Sequence, residues 1–344
     1  MRKYNVGIVG YGWVATAHIA AVNATTRGQV TAVCSARELE PAALSSRHGG
    51  GIRVYRNFEE MLAAPDIDVV SLCGFPALHA EQTIRAARAG KHLIIEKPLC
   101  LSLQDLRAMQ QAVRQAGIRT CVCFECRFSS QFLAIKSVID RGLLGPLHYG
   151  EVDYYHGIGP WYAQFRWCTS KAEGGSSLLE AGCHALDALL LCLGEDVIEV
   201  AGYGSKSRSD LFAPYQYPST TVTLVKFGSG AAGKCVSSID CLQPYYFHTH
   251  LLGSKGSLLD NKFYSSDLHT NKGACNTLAV LLLDSGDVSD HPYRTQFEAF
   301  FEALEQAREM PLTSLAEAAR SHEVIFAADR SVELGRPVKL SELG

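Results

Sequence analysis

Net charge, long apolar runs and repetition are all scarce in this chain. Its 344 residues carry 32 Lys and Arg against 35 Asp and Glu, a formal net charge of −3. That near-balance excludes the basic footprint with which a protein follows a nucleic-acid backbone. No apolar run approaches the roughly 20 residues that span a bilayer. The opening MRKYNVGIVG passes from two basic residues into a strand pattern without a small-residue cleavage site. These absences point to a soluble cytoplasmic protein with no nucleic-acid and no membrane partner, acting on a small neutral or weakly polar molecule. Low-complexity linkers and internal repeats are missing too, so only the rhythm of the hydrophobic pattern divides the chain.

Cysteine is not scarce: there are twelve. A chain of this size does not need disulfide staples, and most of the cysteines lie inside apolar runs such as VTAVC, VVSLC and LLLCLG, where Cys acts as a small buried hydrophobe. The densest group, CVCFEC (Cys121, Cys123, Cys126), lacks the second C-x-x-C that would complete a four-ligand zinc site, so no metal is expected.

The length predicts two domains. Up to about residue 125, short apolar runs (NVGIV, VTAVC, IRV, DVVSLC, HLIIE, RTCVCF) alternate with amphipathic helical stretches. Strands buried on both faces read as continuous apolar runs, so this half is a doubly wound parallel α/β sheet. Gly90 and Gly117 stand where helix ends favour a left-handed residue. From 126 to 344 the pattern is α+β: helices at 129–141 and 176–193, then successive strand-like runs forming an open, mostly antiparallel sheet, then closing helices near 293–307 and 313–334. Segments 205–218 and 264–290 read as mobile loops.

The first strand ends in GIVGYGWVATAH. Gly10 permits the tight turn, Gly12 lets backbone approach a diphosphate, and the small Ala15 lets the helix pack on the strand, as a dinucleotide-binding turn requires. The acid expected some 20 residues later on the ribose is missing; CSAREL offers Ser35 and Arg37 instead, which favours NADP over NAD. At the end of the fifth strand stands Glu96-Lys97-Pro98, where ligands of open parallel sheets arrive. A third motif, GGSSLLEAGCHALD, sets Glu180, His184 and Asp187 at helical spacing on one face. By itself this stripe fits a catalytic face, a buried core histidine or an incomplete zinc site.

Taken together, GYGWVATAH, AGKHLIIEKPL and GGSSLLEAGCHALD, with RGLLGPLHYGEV, GSKGSL and ADRSVELGRPVKL, resemble the Gfo/Idh/MocA oxidoreductases over nearly the whole chain. The resemblance implies a Rossmann dinucleotide-binding domain (1–125) and a substrate-binding and oligomerisation domain (126–344). It implies a cis Lys97–Pro98 peptide and a catalytic pair, Lys97 and His184, working between the domains. Hydride would pass between NAD(P) and a hydroxyl or keto carbon of a sugar, polyol or sugar derivative. His184 would take the hydroxyl proton, Lys97 would hold the same oxygen, and Glu180, where the family pattern has Asp, would bind a neighbouring hydroxyl. Asp187 would orient the helix or His184. The cofactor contacts expected are Gly10, Gly12, Trp13, Val14, Ser35, Arg37, Pro76, His79, Glu96 and Lys97.

Just before the key helix, DYYHGIGPWYAQFRW supplies aromatics suited to sugar faces. Read as a strand, in which every second side chain faces the ligand, it selects Trp161, Arg166 and Trp167 as substrate contacts. Arg127 fits either the site or a structural ion pair. STTVTLVKF and HTHLLGS have alternating faces suited to pairing copies into a homodimer or homotetramer. The competing functions are a redox-neutral, glycoside-cleaving enzyme with a permanently bound dinucleotide, a non-catalytic dinucleotide-binding sensor, and a metal-dependent hydrolase.

Overall fold

The computed structural model describes residues 3–194, 196–271, 273–284 and 286–344. The chain begins β1 (Tyr4–Val9), α1 (Trp13–Asn23), β2 (Gly28–Cys34), α2 (Pro41–His48), β3 (Arg53–Tyr55), α3 (Phe58–Leu62), β4 (Val69–Leu72), α4 (Pro76–Arg88), β5 (His92–Ile95), α5 (Leu103–Ala116) and β6 (Thr120–Val122). Next come α6 (Ser130–Asp140), β7 (Leu147–Tyr155), α7 (Phe165–Cys168), α8 (Lys171–Gly174) and a π-helical turn (Leu178–Gly182) that runs into α9 (Cys183–Leu193). The remainder is β8 (Val197–Ser205), β9 (Thr220–Phe227), β10 (Ala232–Ser238), β11 (Tyr246–Gly253), β12 (Gly256–Leu259), β13 (Lys262–Ser265), β14 (Asn276–Thr277), α10 (Tyr293–Glu305), α11 (Leu315–Leu334) and β15 (Val338–Lys339). They form two compact units, Met1–Glu125 with Asp287–Ala319, and Cys126–Gly286 with Arg320–Gly344.

In the first unit the strands run in the order β3-β2-β1-β4-β5-β6, every pair parallel. This is the doubly wound arrangement, with its topological switch between β1 and β4. All four residues of β4 are buried, as are Leu93, Ile94 and Ile95 of β5, which accounts for their unbroken apolar sequence. Gly90 and Gly117 take φ of 71° and 65°, the left-handed values anticipated at the ends of α4 and α5.

Segment 287–319, which the sequence reading placed in the second domain, packs with the first unit. Its helix α10 buries Phe297, Phe300 and Phe301 completely. Phe301 stacks on Tyr4 of β1 at 5.8 Å between ring centroids. A Cβ on Gly28 would lie 2.5 Å from the Phe301 ring, so β2 admits that ring because residue 28 has no side chain. Gln296 donates to the Val122 carbonyl at 2.7 Å, and the Leu315 amide donates to Thr120 Oγ1 at 2.9 Å, tying the segment to β6.

The second unit carries a nine-stranded sheet, β14-β13-β12-β11-β7-β10-β9-β8-β15, antiparallel at every pairing except β7 with β10. Helix α9 covers β7 and β10 on one face, where Val152, Cys235, Thr249 and Leu251 are buried. The opposite face presents Tyr149, Glu151, Lys234, His248 and His250, all half-buried. Lys171–Leu193 is long and apolar enough to cross a membrane, with a mean hydropathy of 1.4, but 83% of that window is buried inside the protein as a core helix. The 205–218 segment, expected to be mobile, is anchored by Phe212, Tyr215 and Tyr217, each 4% exposed or less.

Candidate active site

The candidate dinucleotide site of the first unit is built from the carboxyl ends of β1, β2, β4 and β5. Gly10 has φ +86°, and a Cβ there would lie 3.0 Å from the Cys73 carbonyl oxygen. The turns after β1 and β4 therefore touch, and only glycine satisfies both the dihedral and the approach. Gly12 forms the N-cap of α1 and provides no side-chain cap. Nothing lies within 4 Å of the place its Cβ would occupy. A helix start without a capping side chain, opening onto free space, suits a diphosphate: the first-turn N–H groups lack intrahelical acceptors and the dipole favours an anion. Trp13 is exposed and Val14 half-buried beside it. At the end of β2, Ser35 is buried and accepts the Arg37 amide at 3.1 Å, leaving the Arg37 side chain exposed. These residues fit a bound dinucleotide.

After β5, the Lys97–Pro98 peptide is cis, as the resemblance implied. Glu96 is 6% exposed and both of its oxygens have protein partners. Oε1 accepts from His18 Nε2 at 2.8 Å and from Tyr293 Oη at 2.9 Å, and Oε2 accepts the Lys97 amide at 3.1 Å. His79 is completely buried, with Nδ1 2.8 Å from the Pro98 carbonyl and Nε2 3.2 Å from that of Gly74. Burial holds its pKa below the usual imidazole value. Glu96 and His79, both expected to touch cofactor, thus face inward and shape the Lys97 loop. Pro76 is buried at the first turn of α4.

All twelve cysteines are free thiols, nine of them buried. Burial pushes the Cys121 and Cys123 thiols up, as suits packed hydrophobes.

The other candidate residues lie in the second unit. Glu180 falls in the π-helical turn, which interrupts the even helical spacing read from the sequence. The cause is local. The Ser177 carbonyl accepts Ser237 Oγ of β10 at 2.8 Å, and a Cβ on Gly182 would lie 2.3 Å from that of Ser237, so the turn is pressed onto the sheet. Glu180, His184 and Asp187 are 4%, 5% and 1% exposed. His184 Nδ1 lies 3.7 Å from Cys126 Sγ.

Asp187 is engaged by Arg127, whose Nε and Nη2 donate to its two oxygens at 2.7 and 2.8 Å, while Ser321 Oγ donates to Oδ1 at 2.6 Å. The two residues with open roles in the sequence are therefore each other's buried partners. Around Glu180 stand Tyr154, Tyr215 and Tyr217. Burial pushes all three hydroxyls well up, and the Glu180 charge adds to each.

Residues 156–170 do not continue a strand. β7 stops at Tyr155, and a turn closed by the Tyr162 amide on the Gly159 carbonyl at 2.9 Å leads into α7. Strand alternation is therefore the wrong rule for choosing substrate contacts here. Trp161 is 57% exposed, with its indole N–H on the Gly157 carbonyl at 3.1 Å. Arg166 is exposed and Trp167 half-buried.

Sequence reasoning assigned no role to His18, Tyr293, Tyr215 or Tyr217. His18 is the one ionisable side chain in the sequence of α1. Tyr293 lies 197 residues from Glu96 and gave no local signal.

A 3-2-1-4-5-6 sheet with a glycine turn at its first strand and a lysine after its fifth, followed by an open nine-stranded sheet, defines a two-unit, dinucleotide-dependent oxidoreductase. Residues 4–124 match the oxidoreductase family with an NAD-binding Rossmann fold, and residues 132–259 match the GFO/IDH/MocA C-terminal domain. The chain belongs to the Gfo/Idh/MocA family. It is 25% identical to the myo-inositol 2-dehydrogenase of Thermotoga maritima over 98% of this chain and 99% of that one. It is 27% identical to the NAD(+)-dependent scyllo-inositol 2-dehydrogenase of Bacillus subtilis, covering 82% and 80% of the two chains. Among solved structures, levoglucosan dehydrogenase in complex with NADH and levoglucosan superposes with a TM-score of 0.88 at 21% identity, covering 98% of this chain and 100% of that one.

Proposed function

We propose that this enzyme interconverts a secondary alcohol and a ketone on a sugar, polyol or sugar derivative, with Lys97 and His184 as its polar catalytic residues. The observation that carries this reading is the placement of Lys97. Its amide is pinned to Glu96 at the carboxyl end of β5, in the same ring of strand ends that holds the Gly10 turn. The nicotinamide ring supplies hydride acceptance or donation when bound. Lys97 holds the reacting oxygen and favours its deprotonated form; His184 receives the hydroxyl proton, for which imidazole is suited near neutrality. Glu180 accepts a hydrogen bond from a neighbouring hydroxyl. The inositol dehydrogenases among the relatives support a polyol substrate.

The exposed guanidinium of Arg37 and the absence of a carboxylate at the end of β2 favour a 2′-phosphate, hence NADP over NAD. The open face of the second sheet, with Tyr203 67%, Leu224 47% and Leu259 49% exposed, supports assembly of copies into a homodimer or homotetramer.

The test is turnover of a panel of inositols and aldoses followed by the absorbance of the reduced cofactor. Lys97→Ala and His184→Ala are each expected to lower kcat by about 10²–10⁴-fold while dinucleotide affinity persists. Wild-type activity in either variant overturns the assignment. Substrate conversion without net cofactor change would favour the redox-neutral chemistry instead.

A further inference from the structure

Behind Glu96 lies a buried network whose members His18 and Tyr293 the reading above does not use. His18, in α1, is completely buried. Its Nδ1 lies 2.8 Å from Ser71 Oγ and 3.3 Å from Cys73 Sγ, both on the chain of β4 and its exit, and Nε2 lies 2.8 Å from Glu96 Oε1. The edges of Tyr293 and Phe297 of α10 close the ring, with centroids 4.7 and 5.0 Å away. Burial alone would strip the proton from His18, but the Cys73 sulfur and the Glu96 carboxylate outweigh it and raise its pKa to about 10. Burial likewise opposes ionisation of Glu96, yet His18, Lys97 and Tyr293 bring it down to about 2. Both shifts run toward an imidazolium beside a carboxylate, and the 2.8 Å contact between the two groups carries that pairing.

We propose that His18 and Tyr293 are positioning residues for Lys97. They clamp Glu96 Oε1 from two sides, which aims Oε2 at the Lys97 amide and fixes the backbone from which the ammonium is presented. The imidazolium also balances the Glu96 charge, so Lys97 does not sit over an unneutralised carboxylate. Other ionisable groups of this unit also lie close: His79 holds the Pro98 carbonyl at 2.8 Å, and His291 lies 2.9 Å from Glu125. Both His291 and Glu96 are electrostatically coupled to Lys97.

The inference rests on Lys97 acting at the reacting oxygen, so the experiment carries Lys97→Ala beside His18→Gln and Tyr293→Phe. The readouts are kcat, KM for dinucleotide and substrate, and the pH profile of kcat/KM. Tyr293→Phe removes one hydroxyl and keeps the ring packing; it is expected to lower kcat about tenfold with dinucleotide KM within about twofold. His18→Gln keeps a donor for Glu96 but removes the positive charge. The profile limb belonging to Lys97 is then expected to move about one unit to higher pH, because an unbalanced carboxylate favours the ammonium form.

Adding Glu96→Gln to His18→Gln restores neutrality and is expected to return that limb toward its original position. A merely structural network would change stability without moving the limb. If Lys97→Ala is inactive while Tyr293→Phe keeps wild-type kcat and His18→Gln leaves the limb in place, the positioning role is refuted and the functional reading stands. If Lys97→Ala is fully active, the functional reading falls and this inference with it.

Discussion

The Arg127–Asp187 pair gives the sharpest separation of architecture from chemistry. Asp187 shares a short stretch of sequence with Glu180 and His184, so a catalytic reading and a structural one make opposite forecasts for it. The guanidinium and carboxylate are 3% and 1% exposed and meet through two parallel N–H···O bonds, with Ser321 as a third donor. Replacing Asp187 by Ala strands a buried guanidinium, which costs about 3–5 kcal/mol where such pairs have been broken. At about 2–4 °C per kcal/mol for a unit of 150–250 residues, the second unit should melt about 6–20 °C lower. Removing both charges, as Arg127→Met with Asp187→Leu, leaves nothing stranded and should recover most of that loss. Differential scanning calorimetry on the three proteins, paired with kcat on whatever remains folded, decides the matter. A loss of less than about 1 kcal/mol in Asp187→Ala, accompanied by a collapse of kcat, would refute the structural reading and make Asp187 a participant in the reaction.

Three further outcomes are expected. Arg37→Ala should raise KM for NADP about tenfold or more while leaving KM for NAD nearly unchanged, because the guanidinium addresses only the 2′-phosphate; equal effects on both cofactors would count against that role. Leu224→Arg, placed on the outward sheet face, should shift the protein toward monomer in analytical ultracentrifugation, and an unchanged sedimentation coefficient would argue that copies do not meet there. The stability of the first unit should depend on pH through His18 and Glu96. The raised His18 pKa makes its contribution full below about 6.5 and lost as pH climbs toward about 10, whereas the lowered Glu96 pKa makes its contribution full above about 4.5 and lost as pH falls toward about 2. Urea titrations between pH 7 and 10 should therefore show a decline that is flatter in His18→Gln; parallel curves would mean the pair does not hold its charges.

The first sheet was legible because its chemistry is local. Buried parallel strands leave unbroken apolar runs, the Gly10 turn marks the first helix start, and Glu96-Lys97-Pro98 follows a strand whose position the alternation fixes. What escaped was set by distance or by competition. Helix α10 has an ordinary amphipathic pattern, and nothing in it says that Phe301 will stack on Tyr4 instead of on the strands that precede it in sequence. Arg127 and Asp187 were both visible as residues without settled roles, but their pairing across 60 positions was not. Periodicity also failed at Glu180, where a serine from the sheet captures a helix carbonyl and produces a π turn from residues that read as regular helix. The 205–218 segment looked polar and loose because its anchors, Phe212, Tyr215 and Tyr217, are spaced for no regular element.

The bare side of Gly28 has a practical consequence for anyone cutting this protein. A fragment ending at residue 125 would keep every motif that marks dinucleotide binding. It would also lose the aromatic helix that fills the hollow over β1 and β2, uncovering the floor of its own sheet. A chimera that exchanges residues 1–125 together with 287–319 is therefore expected to keep this packing, whereas one that exchanges 1–125 alone breaks it.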